Sequence, residues 1–125
     1  MQLYFFRHAQ AEDAQMPDFD DFARQLTEKG SQRTHVAAVA LRELGVAPSR
    51  LYSSPRLRAR QTAEVLAKEL KIEVQVREDI GFSFSPNEVE KLVADLDSHE
   101  AVMFVGHEPS LSATISALIG GGELV

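Results

Sequence analysis

The sequence predicts an α/β protein, a three-layer α/β/α sandwich with a largely parallel central sheet. Four short apolar segments alternate with four segments of helical periodicity. Parallel strands need helices to return the chain to the same end of the sheet, so this alternation favours parallel pairing. The length of 125 residues suits one hydrophobic core, and we therefore expect a single domain over residues 1–125.

The four predicted strands differ in their patterns. Residues 2–6 form an apolar run, and residues 50–53 form a weaker one. Residues 72–76 alternate with period two, whereas residues 101–105 have the continuous apolar character of a strand buried on both faces. Residues 123–125 follow three glycines and could begin a further strand, so we expect the C-terminal strand to be incomplete.

The first helix is predicted from its two ends and its apolar spacing. Thr27 is a suitable N-cap, and Gly45 is a typical residue for ending a helix. Between them, Val36, Ala40 and Leu44 recur at intervals of four and predict the buried face.

The other three helices also have recognisable starts. The second opens at Ser54 as cap, followed by Pro55. The third has a capping box formed by Ser85 and Glu88, and the fourth opens at Pro109. Their buried positions are predicted to be Ala59, Ala63, Leu66 and Leu70 in the second helix, Val89, Leu92, Val93 and Leu96 in the third, and Leu111, Ile115 and Leu118 in the fourth.

Composition excludes several kinds of function. The chain has no cysteine, which excludes disulfides, thiolate metal sites and a cysteine nucleophile. Its net charge of −6 argues against nucleic acid as the main partner, because a phosphate backbone attracts a basic surface. The apolar start is too short for a signal peptide and no segment has the length of a membrane span, so we expect a cytoplasmic protein with no membrane partner.

Basic residues follow three of the predicted strands. Arg7 and His8 follow the first, Arg58 lies in the first turn of the helix after the second, and His107 follows the fourth. Each of them alone could be a surface or packing residue. Because ligands bind beyond the carboxyl ends of parallel strands, their coincidence there predicts a site for a small anion.

A histidine in such a site is a suitable nucleophile for a phosphoryl group. Neutral imidazole keeps a lone pair on one ring nitrogen near physiological pH. Two arginines and a protonated second histidine around the equatorial oxygens would neutralise the phosphoryl group and its transition state. A metal site at His8 and His107 is a weaker interpretation, because a third ligand is missing and the arginines would repel a cation.

Four motifs in order cover nearly the whole chain. They are Phe6-Arg7-His8-Ala9, Leu26-Thr27-Glu28-Lys29-Gly30, Ser54-Pro55-Arg56-Leu57-Arg58-Ala59-Arg60-Gln61-Thr62-Ala63 and Val105-Gly106-His107-Glu108-Pro109. With them the sequence resembles the histidine phosphatase superfamily, whose fold is phosphoglycerate mutase-like, and within it the small SixA-like phosphohistidine phosphatases. The resemblance implies that His8 is the nucleophile, that Arg7, Arg58 and His107 bind the phosphoryl group, and that no metal or organic cofactor takes part.

The resemblance leaves the substrate and the proton donor open. Sugar-phosphate enzymes of this family use a carboxylic acid to protonate the leaving oxygen, and the candidates here are Glu78 and Asp79, which could equally be surface charges. A phosphohistidine substrate lessens that requirement, because its imidazole leaving group can depart already protonated. We therefore expect a protein phosphohistidine phosphatase acting through phospho-His8. The alternatives are a broad or small-molecule phosphomonoesterase that uses Glu78 or Asp79, and a non-catalytic phosphate-binding module.

Overall fold

Four strands and four helices alternate along the chain in the computed structural model, which describes residues 1–7, 25–80, 84–107 and 110–118. The strands are β1 (Gln2–Arg7), β2 (Arg50–Ser53), β3 (Val74–Val76) and β4 (Ala101–Gly106), and the helices are α1 (Glu28–Glu43), α2 (Leu57–Leu70), α3 (Pro86–Val93) and α4 (Ser110–Leu118). The strands lie side by side in the order β1-β4-β2-β3, and every neighbouring pair is parallel. The predicted α/β class with a parallel sheet is confirmed.

The strand register aligns the carboxyl ends of the sheet. Arg7 of β1 lies opposite Gly106 of β4, and Val105 of β4 lies opposite Ser53 of β2. Ser53 in turn lies opposite Val76 of β3. The residues that follow all four strands therefore start from one end of the sheet.

The two faces of the sheet have different cores. On the face of α1 and α2, the buried residues are small or aliphatic: Ala38, Leu51, Ala59, Ala63, Leu66, Met103 and Val105. On the face of α3 and α4, aromatic rings dominate, and Phe104 lies 5.3 Å from Phe5, 5.8 Å from Tyr52 and 5.5 Å from Phe84 between ring centroids. The alternation along β4 supplies both cores and accounts for the three layers.

The ends of α1 confirm the prediction, but its buried face does not. The Thr27 side chain accepts a hydrogen bond from the Gly30 N–H at 2.9 Å, and Gly45 ends the helix with a φ of 82°. The predicted face of Val36, Ala40 and Leu44 is exposed; Val36 is 68% and Leu44 79% accessible.

Small residues form the buried face of α1 instead. Gly30, Thr34 and Ala38 are buried, and the Thr34 hydroxyl donates to the Gly30 carbonyl at 2.8 Å. Small side chains allow α1 to approach α2 closely, which apolar periodicity alone could not indicate.

Two boundaries also differ from the prediction around α2. The helix begins at Leu57 rather than after Ser54, and its N-cap residue Arg56 makes no side-chain cap hydrogen bond. At its other end, Lys71 adopts the left-handed conformation and Ile72 N–H donates to the Ala67 carbonyl. Ile72 therefore belongs to the helix ending, so β3 starts two residues later than predicted.

The cap of α3 is a variant of the predicted capping box. Ser85 is the N-cap residue, but its hydroxyl donates to the Glu88 carboxylate instead of accepting from the backbone. This hydrogen bond lowers the pKa of Glu88. The predicted start of α4 at Pro109 and the possible strand after Gly120 lie outside the described residues. Within the described chain, no helix is both long and apolar enough to cross a membrane.

Candidate active site

Three chain segments bring polar side chains to the carboxyl end of the sheet. Arg7 is the last residue of β1, Ser54 follows β2, and His107 follows β4. The Ser54 N–H donates to the Val105 carbonyl at 3.0 Å, which continues the pairing of β2 and β4 by one residue. His8, the predicted nucleophile, comes directly after Arg7 in the sequence and lies outside the described residues.

His107 is fixed in place by a short hydrogen bond. Its Nε2 atom lies 2.6 Å from the Ser54 Oγ atom, and the two residues are 1% and 0% exposed. The Ser54 Oγ atom also accepts from the Arg56 N–H at 3.3 Å. The imidazole therefore has one defined orientation at the end of β4.

Arg58 lies in the first turn of α2, as predicted, and is 2% exposed. It is among the largest fully buried side chains of the described chain. The Thr62 hydroxyl donates to the Arg58 carbonyl at 2.8 Å and holds the backbone there. A buried guanidinium at a helix N-terminus combines its own charge with the partial positive charge of the helix, which suits an anion.

The candidate acids lie in a turn that follows β3. Arg77 N–H donates to the Ser53 carbonyl at 2.8 Å, and Ile80 N–H donates to the Arg77 carbonyl at 3.2 Å. The fully buried Ile80 lies over Gly106, where a Cβ atom would be 3.4 Å from its Cγ2 atom. The turn of residues 77–80 thus folds back across the carboxyl end of the sheet.

The two candidate acids have different surroundings. Arg77 donates to both carboxylate oxygens of Asp79 at 3.2 Å, and this pairing raises the pKa of Arg77. Asp79 is thus held in an ion pair with Arg77, whereas the Glu78 side chain is exposed to solvent.

The described part of the site has a positive charge in a chain of net charge −6. Arg7 and Arg58 are cations at neutral pH, and His107 adds a third group that can be protonated. Among the described residues, no three histidine, cysteine or acidic side chains are grouped closely enough to hold a metal ion. This arrangement suits a phosphoryl group better than a cation.

Ser54 is the site residue that the sequence reasoning assigned to the wrong role. The pattern of Ser54 followed by Pro55 is typical of a helix start, whereas the hydroxyl contacts a histidine from another strand. The only available signal was that Ser54 follows β2 directly, at the end of the sheet where ligands bind. The contact depends on β4 lying beside β2 in the sheet, and the local sequence patterns do not reveal this strand order.

Comparisons with known proteins identify the family of this chain. The sequence model of branch 1 of the histidine phosphatase superfamily matches residues 3–81. An uncharacterized protein of Picosynechococcus sp. strain PCC 7002 is 39% identical over 128 residues, an alignment that spans 97% of this chain and 74% of that protein.

Solved structures with the same fold include SixA proteins. A candidate phosphohistidine phosphatase SixA from Agrobacterium tumefaciens superposes with a TM-score of 0.81 at 30% identity, over 94% of this chain and 76% of that one. The protein histidine phosphatase SixA complexed with tungstate has a TM-score of 0.81 at 24% identity, over 93% of this chain and 75% of that one, and indicates the fold alone. Phosphatases with other names also share this fold.

Proposed function

This chain belongs to branch 1 of the histidine phosphatase superfamily and is a phosphatase, and on that premise we propose that it dephosphorylates phosphohistidine on a protein. The observation that carries the proposal is the buried pair of Arg58 and His107 at the carboxyl end of the sheet, beside the end of β1. We place the reaction in the cytoplasm, as the sequence leads us to expect.

In the proposed reaction, His8 attacks phosphorus from the side opposite the leaving imidazole. The substrate reacts with the second nitrogen of its imidazole ring protonated. As the bond between phosphorus and the neutral His8 ring forms, the P–N bond of the substrate breaks, its electron pair returns to the ring nitrogen, and the substrate histidine leaves as neutral imidazole. Water then attacks phospho-His8, which releases inorganic phosphate and restores the enzyme. Arg7, Arg58 and His107 bind the three equatorial oxygens and stabilise their charge in both steps.

A phosphohistidine substrate is favoured by the surroundings of the candidate acids. Asp79 is held by Arg77, and Glu78 is exposed, so neither is enclosed as a dedicated proton donor. An imidazole leaving group needs less help from an acid than an alkoxide does. The site therefore suits a phosphoramidate better than an unactivated phosphate ester.

The test is release of inorganic phosphate from a protein whose histidines have been phosphorylated with phosphoramidate. We expect turnover by the wild-type enzyme and none by His8→Ala, because His8 is the proposed acceptor of the phosphoryl group. His35→Ala and His99→Ala are matched controls, since these side chains are 58% and 84% exposed, and both should keep full activity. Full activity of His8→Ala would exclude the mechanism.

A second candidate, a small-molecule phosphomonoesterase, is favoured by the position of the turn of residues 77–80. That turn brings Glu78 and Asp79 across the carboxyl end of the sheet, where an acid could protonate a leaving oxygen. In that case Glu78→Gln or Asp79→Asn should lose hydrolysis of an alkyl phosphate while keeping phosphohistidine turnover. Arg77→Gln controls for the loss of the Arg77–Asp79 ion pair.

A further inference from the structure

Helix α1 exposes an apolar stripe on its outer face. The stripe consists of Val36, Ala40 and Leu44, all of them exposed, and Leu44 continues the helical conformation as the C-cap residue. The three residues recur at intervals of four, so they lie on one side of the helix over about 12 Å. Val36 and Leu44 are the two most exposed large hydrophobic side chains of the described chain. Single apolar side chains are normal on a surface, whereas an aligned row is typical of an interface.

The apolar stripe faces away from the sheet and from α2. The buried residues Gly30, Thr34 and Ala38 mark the side of α1 that faces the core. Arg42, which donates to Glu69 of α2 at 2.7 Å, marks the side that faces α2. At about 3.6 residues per turn, the stripe is turned by roughly 120° from the buried row and by roughly 160° from Arg42. The fold of a single chain therefore leaves the stripe in contact with solvent.

Charged residues of opposite sign flank the apolar stripe on the same face of α1. Arg33 lies three residues before Val36 and is exposed, and Glu43 lies at the other end of the helix with its side chain 71% exposed. Glu43 contacts Arg42 of the same helix at 3.3 Å, an exposed pair of a kind that adds little to stability. The outer face of α1 thus carries a cation in its first half and an anion at its end.

We propose that this face binds a second copy of the chain, with the two α1 helices packed antiparallel about a two-fold axis at Ala40. In a two-fold contact every pair of residues occurs twice. Val36 of each copy then meets Leu44 of the other, because both residues are four positions from the axis. Ala40 meets its own equivalent, and its small side chain allows the two helices to approach closely. The contact removes the most exposed apolar side chains of both copies from water.

The antiparallel arrangement also brings opposite charges together. About the same axis, Arg33 lies within about one helical turn, roughly 6 Å along the helix, of Glu43 of the second copy, and the symmetry repeats this pair. A parallel arrangement would instead place Arg33 beside Arg33 and Glu43 beside Glu43, which is unfavourable. The face is therefore complementary to itself, since a second copy supplies both the matching apolar row and the matching charges.

The size of the contact sets its strength. Two crossing helices bury less area than the roughly 1,200–2,000 Å² of a stable complex, so we expect a weak dimer that forms at protein concentrations of about 0.1–1 mM. The stripe and its flanking charges include no residue of the candidate active site. The inference therefore does not depend on the proposed function, and its variants should release phosphate at the wild-type rate.

Sedimentation equilibrium of the full chain between about 10 µM and 1 mM tests the association. We expect the average mass of the wild type to rise from that of one chain towards twice that value. Val36→Asp and Leu44→Asp should stay monomeric, because each places a carboxylate in the apolar contact. Val76→Asp is the matched control for the added charge, since Val76 is also exposed but lies on β3, and it should associate like the wild type. Circular dichroism confirms that each variant is folded.

Charge reversal tests the antiparallel arrangement. Arg33→Glu alone and Glu43→Arg alone each place like charges together, so we expect the Kd of each variant to rise by about 10-fold. An equimolar mixture of the two variants restores an opposite charge in both pairs and should associate like the wild type.

Four results would overturn the proposal. They are a wild type that stays monomeric at the highest concentration, unchanged association of Val36→Asp, loss of association in folded Val76→Asp as well, and a mixture of the charge variants that associates no better than each variant alone. A monomeric wild type would mean that the stripe is left free or is covered by a different protein. None of these results bears on the release of phosphate from phosphohistidine.

Discussion

The two ends of the central sheet carry their charges in different ways. At the amino end, Arg50 donates to both carboxylate oxygens of Asp95, at 3.2 and 3.0 Å, and to the Tyr52 hydroxyl at 2.9 Å. At the carboxyl end, Arg58 and His107 are almost fully buried. An exposed ion pair adds little to stability, and a buried cation is costly to place. The amino end therefore pairs its charges near the surface, while the carboxyl end buries them, and this burial fits the anion site that we propose there.

The middle of β4 packs in the core between the two ends of the sheet, so removing a large side chain there should have the largest effect on stability. Phe104 is 0% exposed and stacks among Phe5, Tyr52 and Phe84. We expect Phe104→Ala to lower the free energy of unfolding by about 3–5 kcal/mol, measured by urea denaturation. Val36→Ala removes apolar atoms from the exposed face of α1 and should change the free energy of unfolding little. Equal effects of the two variants would contradict the assignment of the core.

The next largest effect should separate activity from stability at the carboxyl end. Arg58→Lys keeps the charge but loses the planar pair of donors, so we expect kcat/KM to fall by about 100-fold to 1000-fold. Arg60→Lys, on the exposed side of the same helix, is the matched control and should keep its activity. Steady-state phosphate release measures both. A fall of similar size in Arg60→Lys would mean that the loss comes from the helix and not from the site.

The N-cap of α1 should give a smaller effect, and on stability rather than on activity. Thr27 caps α1 through the Gly30 N–H, and we expect Thr27→Ala to lower the free energy of unfolding by about 1 kcal/mol. Thr27→Ser retains the hydroxyl and should retain most of the stability. Thermal unfolding of the three proteins, monitored by circular dichroism, measures this difference. If Thr27→Ser is as unstable as Thr27→Ala, the cap is not the cause.

The smallest effect should come from the ion pair at the amino end. The hydrogen bonds from Arg50 lower the pKa of Asp95, so the pair stabilises the folded state above the usual carboxyl pKa and loses this effect as the pH falls through the lowered pKa. Asp95→Asn should therefore lower Tm slightly at pH 7, and the difference should shrink as the pH falls below the usual carboxyl pKa. Activity should not change. A Tm difference that persists in acid would mean that the carboxylate charge is not responsible.

Much of the fold could be predicted from local patterns, because strands and helix caps depend mainly on residues that are close in the sequence. The bounds of β2 and the ends of α1 at Thr27 and Gly45 are confirmed. The buried face of α1 could not be predicted, because Gly30 and Thr34 are neither apolar nor large. Their burial follows from how closely α2 approaches, which is a property of the packed structure.

The site was predictable in its position and less so in its contacts. The strand-end rule placed Arg58 and His107 at one end of the sheet, and the structure puts both there in buried positions. The role of Ser54 was missed because it depends on β4 lying beside β2. For His8 the role as nucleophile stays a prediction, and so do the roles of Glu78 and Asp79 as acids.

The pairing of Arg7 with Gly106 has a consequence for how the protein folds. The two residues are far apart in the sequence, so their pairing closes a long loop. Closing a long loop costs chain entropy before the contact is gained, and we therefore expect this pairing to form late. A nascent chain that has made β1 and β2 but not β4 has no complete anion pocket. We therefore expect phosphate affinity to appear only with the final cooperative step of folding, which keeps partly made chains from binding phosphorylated compounds.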